Sequence, residues 1–85
     1  MVRPLEGRRA LVTGAAKGIG RATAIALEEA GATVIGLDLV AGDDPVPILA
    51  CDLADEAAIV AAVAEAARRL GGIDVLVNKD RKSVV

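Results

Sequence analysis

Residues 11–20, LVTGAAKGIG, limit what this chain can fold into more than any other stretch. An apolar run, typical of a strand buried on both faces, breaks into three glycines before a helical pattern begins. The first N–H groups of a helix lack partners and carry partial positive charge, so glycine there lets an anion approach closely. The segment predicts a pyrophosphate-binding turn, with Gly14 making the tight turn, Gly18 beside the phosphate and Gly20 packed on the strand. A turn without a ligand is the alternative.

The rest of the chain alternates between strand and helix patterns. After a polar lead-in at 1–8, we predict strands at 9–13, 33–38, 48–51 and 73–78, helices at 18–30 and 55–70, and a loop at 41–47. The order β-α-β-β-α-β predicts an α/β fold with a parallel sheet and right-handed crossovers.

The core must be built from small aliphatic side chains, because the sequence has no Phe, Trp or Tyr. Such side chains suit a parallel sheet covered by Ala-rich helices. Helical spacing places Ile19, Ala22, Ala26 and Ala30 on one side of the first helix. In the second helix the same spacing predicts a buried stripe: Ile59, Ala62, Val63, Ala66 and Leu70. Asp55 is the predicted N-cap of the second helix, and Glu65 is expected to pair with Arg69 on its exposed side.

Charge and composition exclude several functions. A net charge of −2 without a basic stripe argues against nucleic acid. No long apolar stretch or leader is visible, so we expect a soluble chain that engages no membrane. A single Cys and no His argue against a disulfide or a metal site and favour the reducing cytoplasm. Cys51 is expected to be a buried thiol with no nucleophilic role.

Asp38 adds a second sign of nucleotide binding. It ends the second predicted strand, about 20 residues beyond the glycine turn, where a carboxylate can accept hydrogen bonds from both ribose hydroxyls of adenosine. Its negative charge would repel a 2′-phosphate, which favours NAD over NADP. Lys17 argues more weakly for NADP, because a cation beside the turn could pair with that phosphate. The alternative for Asp38 is a solvated acid at a strand end.

Four stretches, in order, give the chain a resemblance to the short-chain dehydrogenases/reductases over residues 6–78. TGAAKGIG matches the family's Thr-Gly-x-x-x-Gly-x-Gly pattern, Asp38 matches the acid of NAD-preferring members, CDLAD resembles the adenine-binding segment, and IDVLVN resembles the strand that leads into Asn-Asn-Ala-Gly. The resemblance implies half of a Rossmann fold with strand order 3-2-1-4. It also implies that Asp52 binds the adenine amino group. The predicted cofactor-binding residues are Gly14, Lys17, Gly18, Ile19, Gly20, Asp38, Leu39, Asp52, Leu53 and Asn78.

The resemblance covers cofactor binding and not catalysis. The family's catalytic Ser, Tyr and Lys belong to a second half, whereas this sequence has no Tyr and its single Ser is Ser83. After Asn78 the expected Asn-Ala-Gly is replaced by KDR. We therefore expect a dinucleotide-binding half-domain at 1–78, cut after the fourth strand, and a charged tail at 79–85, the chain being inactive alone. The alternatives are an oxidoreductase complemented by a second half, and a structural, self-associating half-domain without a ligand.

The fourth strand is predicted to be an exposed apolar edge at 73–78. Bare edges recruit other chains, so we expect a homo-oligomer in which fourth strands meet across a two-fold axis. Alternatively, Lys79, Arg81 and Lys82 protect this edge.

Overall fold

Six elements follow one another in the computed structural model, which describes residues 3–78. They are β1 (Arg9–Thr13), α1 (Gly18–Glu29), β2 (Thr33–Asp38), β3 (Ile48–Ala50), α2 (Glu56–Leu70) and β4 (Val75–Val77). The predicted order is confirmed, and so are the bounds of the first two strands. β3 and β4 are shorter than predicted, because each pairs with a single neighbour over three residues. The predicted charged tail lies outside the described residues.

All four strands run parallel in the order β3-β2-β1-β4, which confirms the predicted topology. Leu11 in the middle of β1 lies between Ile35 of β2 and Leu76 of β4. Parallel strands bring their carboxyl ends to one side of the sheet, and open α/β sheets bind ligands outside those ends. Gly14, Asp38 and Asn78 each lie at the carboxyl end of a strand, so the topology brings three predicted site residues to the same side.

Side chains of β1 alternate between two apolar clusters on opposite faces of the sheet. Ala10 and Val12 belong to the α1 side, and Leu11 belongs to the α2 side. The predicted stripe of α2 is confirmed, since Ala62 and Ala66 are buried and the other members of the stripe pack around them: Ile59, Val63 and Leu70.

The side of α1 that carries the regularly spaced apolar residues does not face the core. Ile19 is 72% exposed, and Ala22 and Ala26 are exposed as well, whereas the helix buries Gly20 and Ala24. The reason is a backbone contact: Gly20 lies against the carbonyl of Gly14, and this contact fixes the rotation of the helix about its axis.

The ends of α2 follow their sequence signals. The Asp55 carboxylate accepts hydrogen bonds from the N–H groups of Ala57 at 3.0 Å and Ala58 at 3.3 Å, which confirms the predicted N-cap. Glu65 pairs with Arg69, as expected, and also with Arg68. These hydrogen bonds, first from Arg68 and then from Arg69, lower the pKa of Glu65 to about 2.

An ion pair joins the start of β1 to the entry of β4. The Arg9 backbone N–H and Nε both donate to Asp74 Oδ2 at 2.9 Å, and Nη2 donates to Oδ1 at 3.1 Å. The fourth bond runs from Nη1 to the carbonyl of Gly71 at 2.6 Å. Hydrogen bonds from the Arg9 side chain and then from its backbone lower the pKa of Asp74 from 3.8 to about 2.

Asp74 is expected to make stability depend on acid pH. Its pKa is depressed on folding, so its contribution is present above about pH 4 and is lost as the pH falls through about 2. Urea titrations should show Asp74→Asn less stable than the wild type at pH 7, with the difference shrinking between about pH 4 and pH 2. Asp43→Asn, which changes an exposed acid outside any ion pair of residues 3–78, is the control. A difference for Asp74→Asn that stays constant with pH would contradict this role of the carboxylate charge.

Candidate functional site: a glycine turn at the carboxyl ends of the strands

The turn between β1 and α1 crosses the end of β2. Gly14 N–H donates to the carbonyl of Leu37 at 2.7 Å, and Ala15 N–H donates to the same oxygen at 3.4 Å. Gly14 and Gly18 have φ values of 66° and 65°, in the left-handed region that favours glycine. A Cβ built on Gly18 would meet nothing within 4 Å, so the side of the turn at this position is open space.

Gly20 is where the helix and the turn touch. A Cβ built there would overlap the carbonyl oxygen of Gly14. It would also lie 2.6 Å from the carbonyl carbon of Gly14 and 3.1 Å from the carbonyl oxygen of Thr13. No other residue type fits without moving backbone, which is the packing role expected for Gly20. The contact holds the first turn of α1 directly beside the end of β1.

The amino end of α1 carries no side-chain cap. Lys17 occupies the N-cap position without a capping hydrogen bond, and the first turn contains no acidic residue. The first helical bond is donated by Arg21 N–H, at 3.3 Å from the Lys17 oxygen, so the N–H groups of Gly18, Ile19 and Gly20 have no acceptor within residues 3–78. α2, by contrast, has Asp55 as its cap and Glu56 in its first turn. An uncapped helix start of this kind attracts an anion.

Asp38 lies next to the turn, as the strand order requires. Its Oδ2 accepts a hydrogen bond from Ala16 N–H at 2.9 Å, and its Oδ1 accepts one from Leu39 N–H at 2.8 Å. A carboxylate can accept about four hydrogen bonds, so acceptor capacity remains for a ligand's hydroxyl groups. The Ala16 N–H could not be predicted from the sequence, because a backbone group leaves no signal in residue type.

The end of β3 is tied to the end of β2. Cys51 N–H donates to the carbonyl of Asp38 at 2.7 Å, which brings the neighbouring Asp52 to the site edge. The exposed Asp52 carboxylate accepts from Ala54 N–H at 2.9 Å. The Cys51 side chain is buried, and burial, followed by the charges of Asp52 and Asp55, raises the pKa of its thiol. A thiol held neutral in this way is a poor nucleophile.

Leu53 and Asn78 meet at a small cavity of about 100 Å³ beside the ends of β1 and β4. Its lining combines the two predicted residues with four others: Thr13, Ile59, Val63 and Leu76. The Thr13 hydroxyl donates to Asn78 Oδ1 at 3.1 Å, across 65 residues of sequence. The role of Thr13 was missed, although it opens the Thr-Gly motif. Of the other predicted site residues, Lys17, Ile19 and Leu39 are exposed at the same side of the sheet.

The structure supports no metal centre among residues 3–78, where no three His, Cys, Asp or Glu side chains cluster. None of the helices in this part of the chain has the length and apolar character needed to cross a membrane.

A parallel sheet in 3-2-1-4 order with a glycine turn at its carboxyl ends defines a Rossmann-like α/β half fold. The family model described as short chain dehydrogenase matches residues 8–79. The chain therefore belongs to the short-chain dehydrogenase family, as the sequence motifs imply.

Curated relatives include L-xylulose reductase from Mus musculus, which is 45% identical over 82 residues, covering 87% of this chain and 32% of the relative. D-erythrulose reductase from Gallus gallus is 49% identical over 81 residues, covering 86% of this chain and 31% of the relative. The chain thus spans about a third of the length of the curated relatives it matches.

Solved structures show the same partial coverage. Hydroxysteroid dehydrogenase from Escherichia coli superposes with a TM-score of 0.78 at 34% identity, covering 91% of this chain and 37% of that one. 3-Ketoacyl-(acyl-carrier-protein) reductase from Brucella melitensis, complexed with NADH, superposes with a TM-score of 0.74 at 37% identity. The match covers 85% of this chain and 33% of that one. Members of this family bind nicotinamide dinucleotides.

Proposed function

We propose that residues 1–78 are a dinucleotide-binding half-domain that holds the adenosine diphosphate part of NAD. The observation that carries this proposal is the amino end of α1, which has neither a capping side chain nor an acidic residue in its first turn. An uncapped, positively polarised helix end beside a glycine turn complements the negative charge of a pyrophosphate. The Brucella melitensis neighbour was solved with NADH, which supports the same class of ligand.

Each predicted residue has a part in this proposal. The N–H groups of Gly18, Ile19 and Gly20 would hold the pyrophosphate, with Gly14 shaping the turn. Asp38 would accept from the ribose hydroxyls. The adenine would be held by the residues that follow β2, β3 and β4: Leu39, Asp52, Leu53 and Asn78. When bound, the nicotinamide ring supplies hydride transfer, whereas the residues of this chain bind and orient the cofactor.

The proposed preference for NAD over NADP rests on charge. Asp38 is fixed against the turn by Ala16 N–H, so a 2′-phosphate on the neighbouring ribose would meet a carboxylate. Lys17 is exposed in the same turn and is the group that would favour NADP. Asp38 is held in place by two backbone hydrogen bonds, whereas Lys17 makes no capping bond. The fixed charge is therefore expected to dominate.

An NMR titration with NAD and NADP tests the proposal. NAD should shift the amide resonances of Gly14, Gly18 and Gly20 with a dissociation constant of about 1 mM, because only part of the ligand is held. Asp38→Asn should lower the preference for NAD over NADP about tenfold, since hydrogen bonds to a charged group contribute about 1.5–3 kcal/mol. Asparagine keeps an oxygen for Ala16 N–H, so the turn should stay in place.

Asp43→Asn is the matched control. It removes one negative charge from an exposed position in the loop after β2 and should leave both affinities unchanged. Absence of shifts at Gly14, Gly18 and Gly20 with millimolar NAD would reject the binding function. That outcome would favour the reading of this chain as a structural half-domain.

A second candidate function is that the chain forms part of an oxidoreductase whose catalytic groups are supplied by a second half. It is favoured by the partial match, about a third of the length of relatives named reductase, and by the absence of Tyr from the sequence. In this proposal the chain provides cofactor binding in the cytoplasm, where the lone thiol of Cys51 would stay reduced. The chain alone is expected to oxidise no alcohol.

We also propose that the chain self-associates through β4. The observation in favour is that, among residues 3–78, β4 ends one side of the sheet and its Leu76 side chain is 62% exposed. An exposed apolar edge is a template for another strand.

A further inference from the structure

We infer that Asp44 is a second residue that sets the preference of the glycine turn for NAD over NADP, and that it acts by holding the guanidinium group of Arg21 in an ion pair. The inference rests on the proposed dinucleotide-binding function and adds a positioning residue to it. The ligand group concerned is the 2′-phosphate, which distinguishes NADP from NAD.

Arg21 lies near the start of α1, on the side of Lys17. Its N–H donates to the Lys17 carbonyl at 3.3 Å, so the two residues are one helical turn apart. Residues with this spacing have neighbouring side chains, with about 5–6 Å between their Cβ atoms. The Cα–Cβ bonds of a helix also tilt toward its amino end, which brings the Arg21 side chain closer to the glycine turn. The start of α1 therefore carries two cations beside the proposed phosphate site.

One of these two cations is paired with a carboxylate from the loop after β2. Arg21 Nη2 donates to Asp44 Oδ2 at 3.3 Å, and the two side chains are 41% and 85% exposed. Lys17 forms no ion pair with any of residues 3–78. In this part of the chain, Asp44 thus neutralises Arg21 and leaves Lys17 unpaired.

The loop that carries Asp44 is fixed on both sides of that residue. Two residues before it, Gly42 exchanges two backbone hydrogen bonds with Ile48 at the start of β3, at 3.1 and 2.7 Å. Two residues after it, Val46 is buried in the apolar cluster on the α1 side of the sheet. An anchored segment therefore holds Asp44 next to Arg21, although the Asp44 side chain itself is exposed.

The balance of charge around the turn links this ion pair to the choice of cofactor. Lys17 and Arg21 are positive, Asp38 and Asp44 are negative, and the four charges cancel. A 2′-phosphate adds about two negative charges and finds no excess of positive charge to bind it. Without the Asp44 charge, one positive charge would be in excess and Arg21 could turn toward the phosphate. Because the ion pair lies at the surface, we expect its effect on affinity to be about threefold.

Two substitutions that break the same ion pair test the inference, because they change the charge in opposite directions. Asp44→Asn should raise the affinity for NADP about threefold relative to that for NAD, in NMR titrations that follow the amides of Gly18 and Gly20. Arg21→Gln leaves the Asp44 carboxylate unpaired and should lower the same ratio by a similar factor. An ion pair that only supports the fold would shift the ratio in the same direction in both variants, and this result would overturn the inference.

Two further variants of the loop serve as controls. Asp44→Glu keeps the negative charge and should restore the wild-type ratio of the two dissociation constants. Asp43→Asn removes the neighbouring exposed charge, which forms no ion pair within residues 3–78, and should leave the ratio unchanged. Equal effects of Asp43→Asn and Asp44→Asn would mean that only the net charge of the loop matters, and the role of Arg21 would be rejected.

The same titrations distinguish this inference from the proposed function. If NAD shifts the Gly18 and Gly20 amides of the wild-type chain but neither Asp44→Asn nor Arg21→Gln changes the ratio, the role of Asp44 is overturned and dinucleotide binding stands. If neither NAD nor NADP shifts these amides at millimolar concentration, both are overturned. Circular dichroism of each variant verifies that folded chains are compared.

Discussion

Replacing Gly20 by alanine is expected to destabilise the fold by about 3 kcal/mol, the upper end for an overpacked site, and to abolish NAD binding. The added Cβ would overlap the Gly14 carbonyl oxygen and approach its carbon to 2.6 Å. Both groups belong to backbone, so α1 must move away from the turn that it packs against. The loss is a large part of the total stability of a domain this small, which is about 4–13 kcal/mol. Urea unfolding measures it.

Gly42→Ala is the control for this variant. Gly42 is exposed, its φ lies outside the left-handed region, and a Cβ there would meet nothing within 4 Å. We expect its effect on the free energy of unfolding to stay within about 0.5 kcal/mol. Equal stabilities for Gly20→Ala and Gly42→Ala would show that α1 does not depend on its contact with Gly14.

Gly36→Ala is expected to cost about 2 kcal/mol for a different reason. A Cβ on Gly36 would lie 2.5 Å from the Cβ of Ala15 and 3.3 Å from Cγ1 of Ile48. Ala15 is a fully buried residue of the glycine turn, so β2 must lack a side chain at this point for the turn to sit over the sheet. The variant should also weaken NAD binding, because displacing Ala15 moves the turn.

A second substitution distinguishes this clash from a general weakness of the strand. Ala15→Gly removes the methyl group that the new side chain meets. Alone it should cost about 1 kcal/mol, for a lost buried methyl and a more flexible turn. The double variant should be at least about 1 kcal/mol more stable than the sum of the two single effects. Additive effects would show that Ala15 is not the obstacle.

The strands and the start of α2 could be predicted because their signals are local. An apolar run followed by glycine marked β1, and its bounds are confirmed. Asp55 followed by Glu56 marked the start of α2, and the carboxylate of Asp55 caps that helix. In both cases residue type and period alone determine the local structure.

The orientation of α1 could not be predicted from apolar spacing. Ile19, Ala22 and Ala26 also follow a helical period, and in an Ala-rich helix two stripes of similar hydropathy compete. The contact between Gly20 and the Gly14 carbonyl decides between them, and it involves no apolar side chain. The bond from Thr13 to Asn78 was beyond local reasoning as well, because it spans 65 residues.

The central place of β1 has a consequence for how the chain acquires its structure during synthesis. Of the described strands, β1 leaves the ribosome first, but one of its two neighbours is β4, the last described element. Arg9 likewise pairs with Asp74, which lies 65 residues later in the sequence. Pairing of strands far apart in the sequence first loses the entropy of closing a long loop, and the stabilising contacts form only afterwards. We therefore expect the nascent chain to stay largely unstructured until β4 emerges and then to fold in one late step.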